Sequence, residues 1–229
     1  MISSNLRRVR EEIEAICRRI GRNAEEVTLI GVTKYAEAER IQEAIQAGLK
    51  HVGENKVQEA KRKFPLLEQL HMPVTRHMIG HLQTNKVKQA LEVFDMIQSV
   101  DSLHLAQAIS KQAEKSNRTA DILVQVNTSG EEQKFGMAPS SVDKLLEDAF
   151  YLRNIRILGL MTMAPLTQDT GMIRRCFRDL KVLSDTMDKK WIGSSITMKH
   201  LSMGMSDDYP IALEEGANML RIGRAIFQQ

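Results

Sequence analysis

Lys34 closes an apolar, β-branched run, Val27 to Thr33 (VTLIGVT), and its type and position suggest chemistry more directly than any other residue. A lysine at the end of a buried strand serves either as a phosphate-binding cation or, when partly desolvated, as an amine nucleophilic toward carbonyls. The plainer alternative is a lysine that snorkels to solvent. Two further segments carry small and polar residues in a pattern suited to an anion. Ser202 to Ser206 (SMGMS) has a central glycine, Gly204, between two hydroxyls. Arg221-Ile222-Gly223-Arg224 sets a glycine, whose N–H no side chain shields, between two arginines. Glycine lets the backbone approach an anion closely, and arginine offers bidentate contacts. With Lys34, the two loops point to a phosphorylated aldehyde held by an imine and an anion cradle.

Residues 34, 206 and 223 meet only if the elements before them converge. Eight short apolar runs recur along the chain: Val27 to Thr33, Leu49 to Gly53, His77 to Gly80, Met96 to Val100, Ile122 to Val126, Ile155 to Met161, His200 to Met203 and Met219 to Gly223. Most gaps between them hold a helix-period stripe, such as Leu103, Leu105, Ala106 and Ile109. Strand–helix alternation of this kind builds a parallel sheet. No GxGxxG follows the first run, which argues against an open dinucleotide-binding sheet. The expected fold is α/β, a single (β/α)8 TIM-type barrel over residues 1–229. Leu6, Val9, Ile13, Ile16 and Ile20 add an amphipathic helix over 1–21, packed on the barrel. Ser3 or Ser4 is expected to cap it and Gly21 to end it. Barrel enzymes and binders place their working residues at the C-terminal strand ends, with phosphate after the last two strands. All three candidate segments fall there.

Composition narrows the class. The 229 residues carry 32 Lys+Arg against 29 Asp+Glu, a net charge of only +3, which is too balanced to argue for nucleic acid. Hydrophobic residues make up 42%, which excludes a disordered chain. No apolar stretch reaches the roughly eighteen residues needed to span a membrane. Cys17 and Cys176 lie far apart with no CxxC, so a disulfide scaffold is not expected and a reduced, cytoplasmic compartment is. His77 and His81 lack a third ligand, so no metal is expected.

The segments VTLIGVTK (27–34), GEN (53–55), HMIGHLQTNK (77–86), QVNTSGEEQKFGM (125–137), GLMTMAP (159–165), LSMGMSDD (201–208) and RIGRAIF (221–227) together resemble the pyridoxal-phosphate homeostasis proteins, which are themselves similar to the barrel domain of alanine racemase. The resemblance covers nearly the whole chain. It implies that Lys34 carries pyridoxal 5′-phosphate (PLP) as an aldimine. It implies that Ser206, Gly223 and Arg224 cradle the phosphate, that Arg221 faces the pyridine nitrogen, and that Asn55 lies beside the cofactor. Ser202 and Met203 join this set, with Met163, Met203 and Met205 expected as an apolar wall against the ring. The family often has threonine or serine where this chain has Arg224, so that side chain either adds charge or points away.

The same resemblance implies a cytosolic cofactor reservoir or carrier. The expected assembly is a monomer or weak dimer, and the expected partners are PLP and PLP-dependent apoenzymes. Racemisation needs a base on each face of the reacting carbon. Six residues follow Gly223 in this sequence, so the added β-domain that helps alanine racemase place its second base is not expected. Tyr35 adjoins Lys34, but its side chain should point away if the strand continues. An arginine at the pyridine nitrogen, having donors only, weakens the ring as an electron sink. The alternatives are a racemase-like enzyme and a PLP-independent Schiff-base lyase, for which Glu54 is the main acid–base candidate. Asn85 or Lys86, after the third strand, is a further position for guarding the cofactor or meeting a client enzyme.

Overall fold

A computed structural model of the chain describes residues 1–68, 73–131 and 133–228. Eight strands, β1 (Thr28–Val32), β2 (His51–Glu54), β3 (Thr75–Met78), β4 (Met96–Val100), β5 (Ala120–Gln125), β6 (Ile155–Met161), β7 (His200–Ser202) and β8 (Met219–Ile222), form one closed barrel in sequence order. Each strand pairs parallel to the next, and β8 closes on β1 with Thr28 opposite Met219 and Gly31 opposite Ile222. The expected (β/α)8 architecture is the observed one, with strand limits displaced by one or two residues. β7 is short, and its register on β8 sets Ser202 opposite Met219.

Side-chain alternation divides the apolar residues between two regions. Ile30, Met96, Leu123, Met161 and Met219 fill the barrel interior, with Leu158 and Met163 beside them. Val52, Ile97, Ile122, Leu160, Leu201 and Leu220 face outward and pack against the helices.

Helix α1 (Ile2–Arg19) buries Ile2, Leu6, Val9, Ile13, Ile16 and Cys17, the stripe expected from spacings of three and four. Gly21 follows it with φ +69°. The expected serine cap is absent. The helix already starts at Ile2, and Ser4 donates its hydroxyl back to the Met1 carbonyl at 2.8 Å. α1 lies over the β8–β1 seam. It touches α2 (Ala38–Gln46) on one side, and α8 (Tyr209–Glu214) and α9 (Arg224–Phe227) on the other. Arg10 donates to the carbonyls of Ala47 and Gly48, and Asn5 to that of Ile226. Both walls of the seam are thus tied to one rigid helix. α3 (Val57–Glu68) covers the neighbouring β2, α4 (Val87–Val93), α5 (Leu103–Lys115) and α6 (Val142–Ala149) follow round the barrel, and α7 (Thr170–Lys190) precedes β7.

Candidate functional site

The register of β1 on β8 brings the first and last strand ends together. Gly31 stands opposite Ile222, so Val32 is next to Gly223, and a Cβ on Gly223 would lie 3.3 Å from the Val32 Cβ. Just beyond, Lys34, Tyr35, Gly223, Arg224, Phe227 and Gln228 line one depression with Val32. Residues nearly two hundred positions apart therefore share a site, as the sequence reading requires.

Lys34 itself differs from expectation in two ways. Its side chain is exposed, where a partly desolvated amine is expected. Its Nζ lies 5.0 Å from the centroid of the Tyr35 ring, which is also exposed. The expectation that Tyr35 points away assumed a continuing strand. β1 ends at Val32, and residues 34 and 35 form a turn, so alternation no longer applies.

The loop after β7 reaches the same seam. Gly204 has φ +96°, and a Cβ there would meet the Ala212 Cβ at 2.7 Å, so only glycine fits. The Met205 N–H donates to Asp208 at 2.5 Å, and the Ser206 hydroxyl accepts from the Ala225 N–H at 3.3 Å. Burial pushes the Asp208 carboxyl above its ordinary range. Ser206 is thereby pinned to the first turn of α9, beside Gly223 and Arg224. The Arg224 guanidinium is engaged by Asp207, and both side chains are largely exposed. It points to its neighbour across the two loops.

Arg221 sits inside the barrel, 3% exposed. It donates to the Ser202 hydroxyl at 2.6 Å and to the Thr162 carbonyl at 2.7 Å. Desolvation pulls its guanidinium down to about 10, partly opposed by the Asp208 charge. Ser202 is fully buried and shares the interior with Arg221. Met203 does not. It packs in the outer cluster with the helices, because Ser202 points inward and the next residue must point outward. Met163 does lie with the inner group, and Met205 is half-buried.

Asn55 lines a neighbouring depression of the mouth with Lys56, Gln58, Gly80, His81, Gln83 and Lys86, apart from the one that holds Lys34. His81 stacks on Phe135 at 4.2 Å and lies 3.4 Å from Asp101. Glu54, the acid–base candidate, faces outward into a buried pair with Lys63 and does not reach the mouth. Among the described residues no group of three His, Cys, Asp or Glu could hold a metal ion. Lys63, Gln98 and Thr162 escaped the sequence reading. Gln98 had a visible signal, an amide within the otherwise apolar run MIQSV.

The donor set fits PLP. An accessible primary amine, a hydroxyl, an unshielded glycine backbone and a buried guanidinium match an aldehyde, a phosphate and a pyridine nitrogen. Fold and mouth together define a (β/α)8 barrel of the alanine racemase N-terminal type, and residues 4–229 match the family described as alanine racemase, N-terminal domain. Proteins named pyridoxal phosphate homeostasis protein from Aquifex aeolicus and Pseudomonas aeruginosa are 40% and 36% identical, over 97% and 99% of this chain and 95% and 94% of their own. The structure of PipY from Synechococcus elongatus with PLP bound is similar at a TM-score of 0.88 and 32% identity, covering 99% of this chain and 100% of that one. The chain belongs to the pyridoxal phosphate homeostasis protein family.

Proposed function

We propose that this protein binds PLP through Lys34 and serves its homeostasis as a reservoir or carrier, with little or no turnover of its own. The observation that carries the reading is the shared depression of Lys34, Gly223 and Arg224 at the β1–β8 seam. When bound, PLP supplies an aldehyde that condenses with an amine and a ring able to withdraw electrons. The protein's part is to hold it. Lys34 offers the amine. Ser206 and the Gly223–Arg224 backbone receive the phosphate, Asn55 approaches the cofactor from the adjoining depression, and Arg221, with Ser202 behind it, faces the ring nitrogen. A donor-only guanidinium keeps that nitrogen unprotonated, which suits storage better than carbanion chemistry.

The whole chain is one PLP-binding domain in this reading, a monomer or weak dimer of the cytoplasm, with PLP-dependent apoenzymes as the receivers of its cofactor. Two free, buried cysteines suit a reduced compartment. No helix among the described residues is long and apolar enough to cross a membrane.

The test is a spectrum of the purified protein with PLP, before and after borohydride, with peptide mapping of the labelled residue. The expected result is a visible band lost in Lys34→Ala and a label on Lys34. A label elsewhere, or rapid steady-state turnover across a panel of amino acids, overturns the proposal.

A further inference from the structure

Behind Arg221 a file of hydrogen bonds crosses the barrel interior from β8 to β2. Arg221 Nη1 donates to Ser202 Oγ at 2.6 Å, and Ser202 Oγ donates to Gln98 Oε1 at 2.7 Å. Gln98 Nε2 lies 3.0 Å from His77 Nδ1, and His77 Nε2 lies 3.0 Å from His51 Nδ1. Ser202, Gln98 and His77 are each 0–1% exposed, and His51 is half-buried. An amide nitrogen only donates, so His77 Nδ1 accepts and its proton resides on Nε2. Every donor in the file therefore points the same way, away from Arg221. The Gln98 amide also touches the Met219 sulfur at 3.8 Å, which leaves it little freedom to turn.

We infer that Gln98 and His77 are positioning residues for Arg221. The His77 ring fixes the Gln98 amide, the amide claims the Ser202 hydroxyl proton, and the hydroxyl oxygen then has only lone pairs to offer the guanidinium. The Thr162 carbonyl holds the other terminal nitrogen at 2.7 Å, so the plane of the guanidinium is set from two sides and its remaining donors are the ones available to a ligand. Polar groups sealed in a barrel interior are costly when unpaired, so a file this complete holds one arrangement against its alternatives. The inference rests on the reading that Arg221 faces the cofactor ring.

The full chain with Gln98→Leu, Gln98→Glu, Ser202→Ala and Arg221→Gln, each titrated with PLP by absorbance, separates the possibilities. Gln98→Leu and Ser202→Ala cut the file at different bonds. Each should weaken PLP binding about tenfold, the scale of one buried hydrogen bond to a charged group, and shift the visible band in the direction Arg221→Gln shifts it. A protonated glutamate accepts from Ser202 and donates to His77, so Gln98→Glu should restore binding to within about threefold of the parent. Nitrogen NMR of the unliganded protein should find the His77 proton on Nε2. If Arg221→Gln weakens binding while Gln98→Leu and Ser202→Ala do not, the positioning role is wrong and the cofactor reading stands. If Arg221→Gln itself changes nothing, the assignment of Arg221 to the ring fails and the inference falls with it. A His77 proton on Nδ1 overturns the file whatever the titrations give.

Discussion

Lys63 Nζ lies 2.8 Å from Glu54 Oε1, with both residues at most 1% exposed. The same ammonium donates to the Thr33 carbonyl at 2.9 Å, and the Thr33 hydroxyl donates to Glu54 at 2.8 Å. The second carboxylate oxygen accepts from the Asn55 N–H at 3.3 Å. One buried pair on the outer face of the barrel thus grips the residue before Lys34 and the backbone of Asn55. It ties two strand ends of the mouth to α3.

Breaking this pair from one side should be costly. Lys63→Met leaves an uncompensated carboxylate in a sealed space, and the expected loss is about 3–5 kcal/mol of stability. The double variant Lys63→Met, Glu54→Gln should recover part of it, because the charge is gone. Urea unfolding of the two variants measures both, and equal stability of single and double variants would contradict the account.

Gly204→Ala should lose about 2–3 kcal/mol, since φ is +96° and the new Cβ would meet Ala212 at 2.7 Å. The strain falls on the loop that pins Ser206, so PLP binding should weaken further than stability alone explains. Thermal melting with and without PLP separates the two effects. An unchanged melting temperature would be the contrary result.

Arg224→Ala should change little. Its ion pair with Asp207 is largely exposed, and such pairs contribute at most about 1 kcal/mol. If the backbone rather than this side chain receives the phosphate, PLP affinity should change less than about threefold. A side chain clamping the phosphate would cost more than about tenfold, as charged hydrogen bonds do. A PLP titration at two ionic strengths decides between them.

Acid should weaken the fold through its interior histidines. Burial, with smaller contributions from His51 and His200, pulls His77 down to about 3, and burial also lowers His51 and His200. Unfolding releases each of them to an ordinary value near 6.5, so the unfolded state binds more protons between about pH 6.5 and 3. Stability should be insensitive to these groups above about pH 6.5 and fall as the pH drops below it, by up to about 1.4 kcal/mol per pH unit for each proton. Asp208, raised by burial, acts in the opposite sense within the carboxylate range. His77→Gln, whose amide can accept from Gln98 and donate to His51, should flatten the slope. Urea midpoints between pH 7 and 4 give the comparison, and parallel slopes for parent and variant would refute it.

Short apolar runs carried the sequence reading to eight strands, and helix-period stripes carried it to the helices between them and the buried face of α1, because burial leaves its mark on the residues that form it. The motifs around Lys34, SMGMS and RIGR were equally legible, since glycine, hydroxyl and lysine at strand exits are unusual where a core should continue. What local pattern could not supply was direction and partnership. Tyr35 turned toward Lys34 because β1 stops at Val32, Met203 faced the helices because β7 had already spent its inward position on Ser202, and Arg224 was taken by Asp207 from the adjoining loop. Lys63 finds Glu54 nine residues away, and Gln98 finds Ser202 more than a hundred away, only after the barrel has closed. Solvent exclusion writes itself into sequence spacing, whereas a buried polar group chooses its partner from whatever the closed ring of strands brings within about 3 Å, and only the tertiary structure sets that.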